Sequence, residues 1–326
     1  MPEWIVSLPD RLDVFLSKQE GILSRAKAQA TIEGGHVLVN DEVTTKAAER
    51  LQEGDKVELR IANGQLPMNS TLANGNWQMA IPPVDLHLTI LYEDSSCIVI
   101  NKPAGIAVHP GAGMSSGEVT MLDGVEFLFE ERSLHFSSDS ILVHRLDKET
   151  TGCLLIAKSP AAHLALQKQF ADRTVEKHYL ALVAGLPSPA EALIDAPIGR
   201  NVHNRTKMSI IGSTAPREAQ TTYRTLRQAQ GKSGAIAVLE CQIHTGRTHQ
   251  VRVHLSTIGH PVLGDATYTS ELSERLTQEY DIRSLCLHAW KLSFVSSADQ
   301  KEHAVMAPLP QEFKEVLKRV GIEWGS

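Results

Sequence analysis

His144-Arg145-Leu146-Asp147-Lys148-Glu149-Thr150-Thr151-Gly152 sets a carboxylate, Asp147, between two cations, Arg145 and Lys148, at the end of the apolar run Ile141-Leu142-Val143. A glycine closes the polar stretch, and a second apolar run follows, Cys153-Leu154-Leu155-Ile156-Ala157. The pattern predicts a strand over Ile141–His144, a tight polar loop and a returning strand over Cys153–Lys158. Such a frame holds a carboxylate rigidly at a sheet edge, as a nucleophile requires. A blander reading competes with it. Asp and Thr are ordinary turn formers because their side chains bond nearby backbone. An exposed Asp flanked by Arg and Lys is usually a solvated ion pair worth ~0–1 kcal/mol. The loop alone does not decide between them; the rest of the chain does.

A chain of 326 residues has room for one large domain and a small one. Its 42% hydrophobic and 21% charged residues are those of an ordinary globular protein. No run approaches the ~18 apolar residues of a membrane span. Met1-Pro2-Glu3-Trp4 has neither a basic flank nor an apolar signal core, so a cytoplasmic location is expected. Cys97, Cys153, Cys241 and Cys286 are scattered through apolar runs without metal-ligand spacing, and read as reduced core thiols. The net charge of −6 argues at first against a polyanionic partner. Its distribution reverses that: Ile198–His260 carries nine Arg or Lys against two Glu, with five histidines besides. Because screening limits electrostatic reach to ~10 Å, a local basic face is what phosphate contact needs.

Three parts are expected. In residues 9–60, Arg11-Leu12-Asp13-Val14-Phe15-Leu16 opens a helix with Leu12, Phe15 and Leu16 at helical spacing. Ser24 is placed to cap a second helix, Arg25 to Glu33, ending at Gly34-Gly35. Alternation in His36–Asn40, a turn at Asn40-Asp41-Glu42 and another at Gly54-Asp55 predict short strands. Residues 61–88, broken by Gly64, Pro67, Asn74, Gly75 and Pro82-Pro83, read as a linker. From residue 89 to 326 the texture is a larger α+β domain. Its strand-like runs begin at Thr89–Tyr92 and Cys97–Asn101 and include Lys177–Gly185, Ala219–Arg227, Ala235–Ile243 and Leu285–Val295. Helices are predicted at Pro160–Asp172, capped by Ser159, and at Thr248–Ile258, with Thr248 as cap and Gly259 as terminator.

Four elements accompany the aspartate loop. Asn101-Lys102-Pro103-Ala104-Gly105, with His109-Pro110-Gly111 after it, is an ordered turn. Glu176-Lys177-His178-Tyr179 opens a strand on which Tyr179, Ala181 and Val183 share a face, and pattern alone makes that tyrosine core. His244-Thr245-Gly246-Arg247-Thr248-His249-Gln250-Val251-Arg252-Val253-His254-Leu255 puts Arg252 beside the buried stripe Val251, Leu255 and Ile258, suited to a recessed carboxylate. No acidic or cysteine residue stands at ligand spacing among its histidines, so no metal is expected. Gly259-His260-Pro261-Val262-Leu263-Gly264-Asp265 and Leu285-Cys286-Leu287-His288-Ala289 complete the set.

Together H-R-L-D-K-x-T-T-G, N-K-P-A-G, K-x-Y and G-R-T-H-Q-x-R-V-H, in this order, resemble the large-subunit ribosomal RNA pseudouridine synthases. Residues 9–60 look like the S4 RNA-binding domain, through R-L-D-x-F-L, H-V-x-V-N and G-D-x-V-x-L. The resemblance implies a pseudouridine synthase fold with a mixed, largely antiparallel sheet behind a small α+β domain. It implies Asp147 as catalytic residue, Tyr179 stacked on the target base, and Arg252 rather than Arg247 as partner of the aspartate. Arg145 would fill the space of a turned-out base or hold a displaced phosphate, Arg247 would touch phosphate, and Leu287 would pack near uracil. In the S4-like segment Arg25, Lys27 and His36 would face RNA, although residues 1–60 hold only eight Arg or Lys against eleven acids.

The implied reaction converts uridine to pseudouridine without redox cofactor, nucleotide or metal, on RNA, large-subunit ribosomal RNA first, with pre-ribosomal particles as a candidate partner and a monomer as the expected state. Transfer RNA is an alternative substrate. A catalytically idle RNA-binding or ribosome-assembly factor is another reading, opposed by a carboxylate that a mere binder would not need. A carboxylate glycosidase needs two carboxyl groups flanking one bond, and no second candidate is identified to flank a bond with Asp147.

Overall fold

The computed structural model describes residues 3–19, 25–33, 35–59, 70–73, 76–79, 83–110, 114, 118–204 and 206–325. Two units divide the chain, one of residues 1–82 with 114–117 and one of residues 83–113 with 118–326.

The first unit is built on β1 (Glu3–Ile5), β2 (Asp10–Arg11), α1 (Leu12–Ser17), α2 (Arg25–Glu33), β3 (Val37–Val39), β4 (Glu42–Thr44), β5 (Arg50–Leu51) and β6 (Lys56–Leu59). Its four-stranded sheet runs β1-β6-β3-β4. Leu12, Leu16, Ala28, Ile32, Val37, Val57 and Leu59 bury one small core between helices and sheet. Asn40 and Asp41 both take positive φ, the geometry a two-residue hairpin demands and these residue types tolerate. The proposed cap Ser24, with Gly34, lies outside the described residues. The stretch read as linker contains a hairpin, β7 (Ser70–Ala73) against β8 (Asn76–Met79). Asn74-Gly75, counted above as breakers, are also the strongest short hairpin signal; they lie outside the described residues.

The second unit holds a nine-stranded sheet. Its strands are β9 (Ile90–Glu93), β10 (Cys97–Lys102), β11 (Thr151–Ala157), β12 (Glu176–Ala184), β13 (Glu191–Asp195), β17 (Gln220–Gln230), β18 (Ala235–Ile243), β19 (Leu287–Val295) and β20 (Glu302–Met306). Their order is β13-β17-β18-β12-β19-β11-β10-β9, with β20 also on β19. Only β11 and β19 run parallel; the other pairs are antiparallel. A small second sheet joins β14 (Ile198–Asn201), β15 (Met208–Ser209) and β16 (Ser213–Arg217). The helices are α3 (Met121–Glu131), α4 (Pro160–Ala171), α5 (Gln250–Thr257), α6 (Glu271–Glu279) and α7 (Gln311–Arg319).

The central strands are continuous apolar runs because both faces are covered. Ile98, Ile100, Leu154 and Ile156 pack with Met121, Val125 and Phe129 of α3. Their alternates Val99, Cys153 and Leu155 pack with Ala162 and Leu166 of α4. Ser159 caps α4 through a bond from the Ala162 amide, with Pro160 at the first helical position. All four cysteines are buried and unbridged.

The strand predicted over Ile141–His144 does not form. One edge of β11 is filled along its length by β10, and the other carries β19 at Thr151 and Gly152. The incoming segment meets only what remains: the Ala157 amide bonds the Ile141 carbonyl, Leu142 makes one bridge to Ile156, and the Leu155 amide donates to His144 Nε2 at 2.8 Å. A side chain replaces a ladder carbonyl there. Gly152, at φ +109°, presses on β19 so closely that a Cβ would sit 2.2 Å from the Ala289 carbonyl oxygen.

His144 can accept the Leu155 hydrogen bond only while neutral, and burial, then the Lys177 charge, lowers its pKa to about 3. His288 accepts from the Thr151 hydroxyl and donates to the Ala307 carbonyl, and burial lowers it to about 4. Unfolded histidines titrate near ~6.5, so the unfolded chain takes up protons first as pH falls. Stability is therefore full above pH ~6.5 and declines toward pH ~4. Urea midpoints measured across that window should fall, and His144→Asn, whose amide oxygen can accept in its place, should make the decline shallower.

Candidate active site

Sheet register gathers the predicted residues. On β19, Leu287 stands opposite Ala181 and Ala289 opposite Tyr179 of β12, while His288 and Ala289 pair with Thr151 and Gly152 of β11. The loop that carries Asp147 therefore ends beside Tyr179 and Leu287. All three, with Arg145 and Arg247, line one cavity of about 600 Å³, a volume within the usual range of ligand pockets.

Arg252 lies beneath the loop rather than on the cavity wall. It is buried on α5, and its Nη1 donates to Asp147 Oδ2 at 3.2 Å. Its stronger partner is Asp265, gripped bidentately by Nε at 2.7 Å and Nη2 at 2.8 Å. Two further bonds come to Asp265 Oδ1, from the amides of Thr267 and Tyr268. The Tyr268 ring covers the guanidinium at 5.1 Å. Burial opposes the Arg252 charge, but the Asp265 bonds and the charges of Asp265 and Asp147 outweigh it and raise its pKa. Burial likewise pushes Asp265 up, and its Arg252 and amide bonds hold it below the ordinary carboxylate range.

The loop is also clamped from below. Lys102, almost wholly buried, donates from Nζ to the carbonyls of Pro103 (2.7 Å), Lys148 (2.8 Å) and Thr150 (3.0 Å). Burial brings its pKa down to about 8, against the pull of Glu149 and Asp147. The Gly105 amide adds a fourth tie to the Lys148 carbonyl, and the Lys148 side chain is paired with Glu118. The turn at Asn101–Gly105 is thus the seat of the aspartate loop.

Tyr179 is 8% exposed, and its hydroxyl has no hydrogen-bond partner among the described residues. Burial, then the Asp147 charge, raises its pKa, so it stays a neutral ring. Arg145 reaches across the cavity mouth, with Nη2 donating to Thr248 Oγ1 at 2.5 Å and Nη1 lying 3.3 Å from His109 Nε2. Arg247 donates from Nε to the Glu218 carbonyl. The side chains of Arg25 and Lys27, on α2 in the other unit, lie outside the described residues.

Thr248 does not cap α5. The helix begins at Gln250, after His249 at φ +57°. Gln250 organises the turn instead: its Oε1 accepts from the Thr245 hydroxyl and the Arg247 amide, and its Nε2 donates to Gln220 O and Thr221 Oγ1. The histidines nearby are committed as well. His249 Nδ1 lies 2.9 Å from the Tyr268 hydroxyl, and His254 bonds Thr221 Oγ1 and the Ala196 carbonyl. The basic run Ile198–His260 is correspondingly less open than its count suggests, since Arg252 is internal and Arg224 is held by Glu240.

Asp265, Lys102 and Gln250 were not singled out as site residues from sequence. A signal existed for Asp265, because an Asp followed by Ala-Thr-Tyr can bond its own downstream amides. Asp265→Ala leaves Arg252 buried with only the longer of its two contacts. Removing one partner of a buried pair costs about 3–5 kcal/mol, whereas breaking the exposed Arg283–Asp281 pair should cost ~0–1 kcal/mol. Urea unfolding of Asp265→Ala and Arg283→Ala at pH 7 should show that contrast. Because the Asp265 pKa is depressed in the fold, its contribution is present at neutral pH and lost as pH falls through its folded value.

Comparison with known proteins bears on this geometry. Residues 96–257 match the family model described as RNA pseudouridylate synthase, and residues 10–57 match the S4 domain. The chain is 36% identical to a protein of Nitrosomonas europaea called ribosomal large subunit pseudouridine synthase D, over 95% of this chain and 84% of that one. It is 34% identical to an uncharacterised RNA pseudouridine synthase of Aquifex aeolicus, over 94% of this chain and 92% of the relative. Among solved structures, human RNA pseudouridylate synthase domain containing 4 is similar with a TM-score of 0.58 at 29% identity, covering 73% of this chain and 94% of that one.

Proposed function

The chain is a member of the RNA pseudouridine synthase family, and from that premise we propose that large-subunit ribosomal RNA is its substrate and Asp147 the group that acts on the target uridine. The reaction isomerises uridine in RNA. The C1′–N1 bond breaks, the uracil turns, and a C1′–C5 bond forms, while C5 gives up a proton and N1 gains one. Composition is unchanged, so no redox partner is consumed.

One observation carries the site assignment. Asp147 is the only carboxylate lining the cavity among the described residues, and a buried arginine holds it there. A base stacked in RNA cannot reach such a group, so it must be turned out at a cost of a few kcal/mol. Tyr179 offers the compensating ring, since stacking contributes ~1–3 kcal/mol per base. Leu287 packs on the base from β19, and Arg145 at the mouth takes the vacated place or the displaced phosphate. Arg247 meets phosphate at the rim. Arg25 and Lys27 serve RNA contact in the S4 domain. A role in RNA binding alone is poorly served by this wall, because Asp147 repels the backbone that a binder must attract. The proposed setting is cytoplasmic, with the protein acting as a monomer on ribosomal RNA or its precursor particles.

Asp147→Asn keeps the shape of the side chain and removes its charge. In the purified full chain it should cut pseudouridine formation on large-subunit RNA from cells lacking the gene by at least ~10³-fold. RNA affinity in filter binding should stay within about threefold. Turnover by the variant close to wild type would exclude Asp147 from the chemistry.

A further inference from the structure

The cavity extends past the residues that the isomerisation employs. Beyond Tyr179 its wall continues along the same face of β12 to Lys177, then to Phe170 and Ala171 at the end of α4 and to Arg173 in the following turn. The charges on this wall are unequal. Arg145, Arg173, Lys177 and Arg247 line the cavity, against Asp147 as carboxylate.

Three of those cations have partners. Arg145 is bonded to Thr248, and Arg173 grips Glu218 with both Nη atoms, at 3.0 and 2.8 Å. The carbonyl of that same Glu218 receives Arg247 Nε at 2.9 Å, so one residue holds two guanidinium groups at the rim. Lys177 differs. It is 7% exposed, yet among the described residues no carboxylate, carbonyl or hydroxyl receives its ammonium. Its neighbours are the Phe170 ring, 5.5 Å from Nζ, and the like charge of Arg173. Leaving a buried charge without a counter-ion is costly. The aromatic contact recovers only ~0.5–2 kcal/mol of it. Lys102 is the internal comparison: more deeply buried still, it has three carbonyl acceptors.

We propose that Lys177, with Arg173 and Arg247 above it, forms a phosphate subsite that receives an RNA phosphodiester next to the target nucleotide, the anion supplying the counter-charge that the protein omits. This rests on the proposed function and adds to it the second anchor of the flipped nucleotide, placed on the same strand face as the ring of Tyr179. Burial, with the Arg173 charge adding to it, brings the Lys177 pKa down to about 8, and a bound phosphate would restore the full ammonium.

The test is the salt dependence of RNA binding by the full-length protein, which needs no turnover. The probe is deproteinised large-subunit RNA from cells lacking the gene, titrated across a series of KCl concentrations. Each single-strand phosphate contact contributes ~0.7 to the slope of log Kobs against log salt. Lys177→Met should lower that slope by roughly 0.7 and weaken binding by about tenfold or more at low salt. Lys177→Arg should restore both. Thermal unfolding separates a structural role, because removing an unpaired buried charge should leave Tm unchanged or raise it. A Lys177→Met protein with the wild-type salt slope, or with a lowered Tm and intact RNA affinity, overturns the subsite. Pseudouridine formation by the wild type is scored on the same RNA: its absence would count against the isomerase reading, while the slope alone judges Lys177.

Discussion

The buried guanidinium of Arg252 is what the rest of the site depends on. A cation this deep in the protein is tolerable only if anions and hydrogen bonds surround it. Asp265 supplies most of that, through two short bonds and two backbone amides that fix its own orientation. Asp147 supplies the remainder through one longer bond. The asymmetry has a chemical meaning. Asp265 satisfies the arginine, so Asp147 is oriented by it without being wholly consumed by it, and one face of the carboxylate stays on the cavity.

The same division between support and reaction runs through the surrounding elements. Lys102 binds three carbonyls, two of them in the aspartate loop, and Gly152 allows the loop to enter β11 against the backbone of Ala289. His288 connects Thr151, at the start of that strand, to the chain at Ala307. Each of these contacts acts on backbone position rather than on substrate. Their sum is a loop with little freedom beside a parallel junction of β11 and β19, where Tyr179 and Leu287 arrive from neighbouring positions in the sheet.

Much of this was legible in the sequence, for identifiable reasons. Continuous apolar runs located the central strands, and Ser159-Pro160 located the start of α4, because both signals are local. Arg252 beside the stripe of Val251 and Leu255 pointed to a recessed carboxylate. Partner choice was not local. Nothing in the wording of Asp265 distinguishes a structural turn from the main anchor of an arginine thirteen residues earlier. Lys102 reads only as part of an ordered turn until the loop is seen folded over it. Ile141–His144 has the composition of a strand, yet its pairing with β11 stops at Ile141 and Leu142, and at Leu155 the His144 ring takes the place of a backbone carbonyl. Thr248 carries the residue type of a cap, but its hydroxyl is bonded to Arg145.

The most direct measurement is a pseudouridine map of total cellular RNA, read by selective chemical tagging, in wild-type cells, a deletion strain and the deletion strain carrying the intact gene. Loss of discrete large-subunit ribosomal RNA sites in the deletion, with their return on complementation, is the predicted result. A deletion map identical to wild type, or one whose losses fall only in transfer RNA, would contradict the assignment of ribosomal RNA as the substrate of this site.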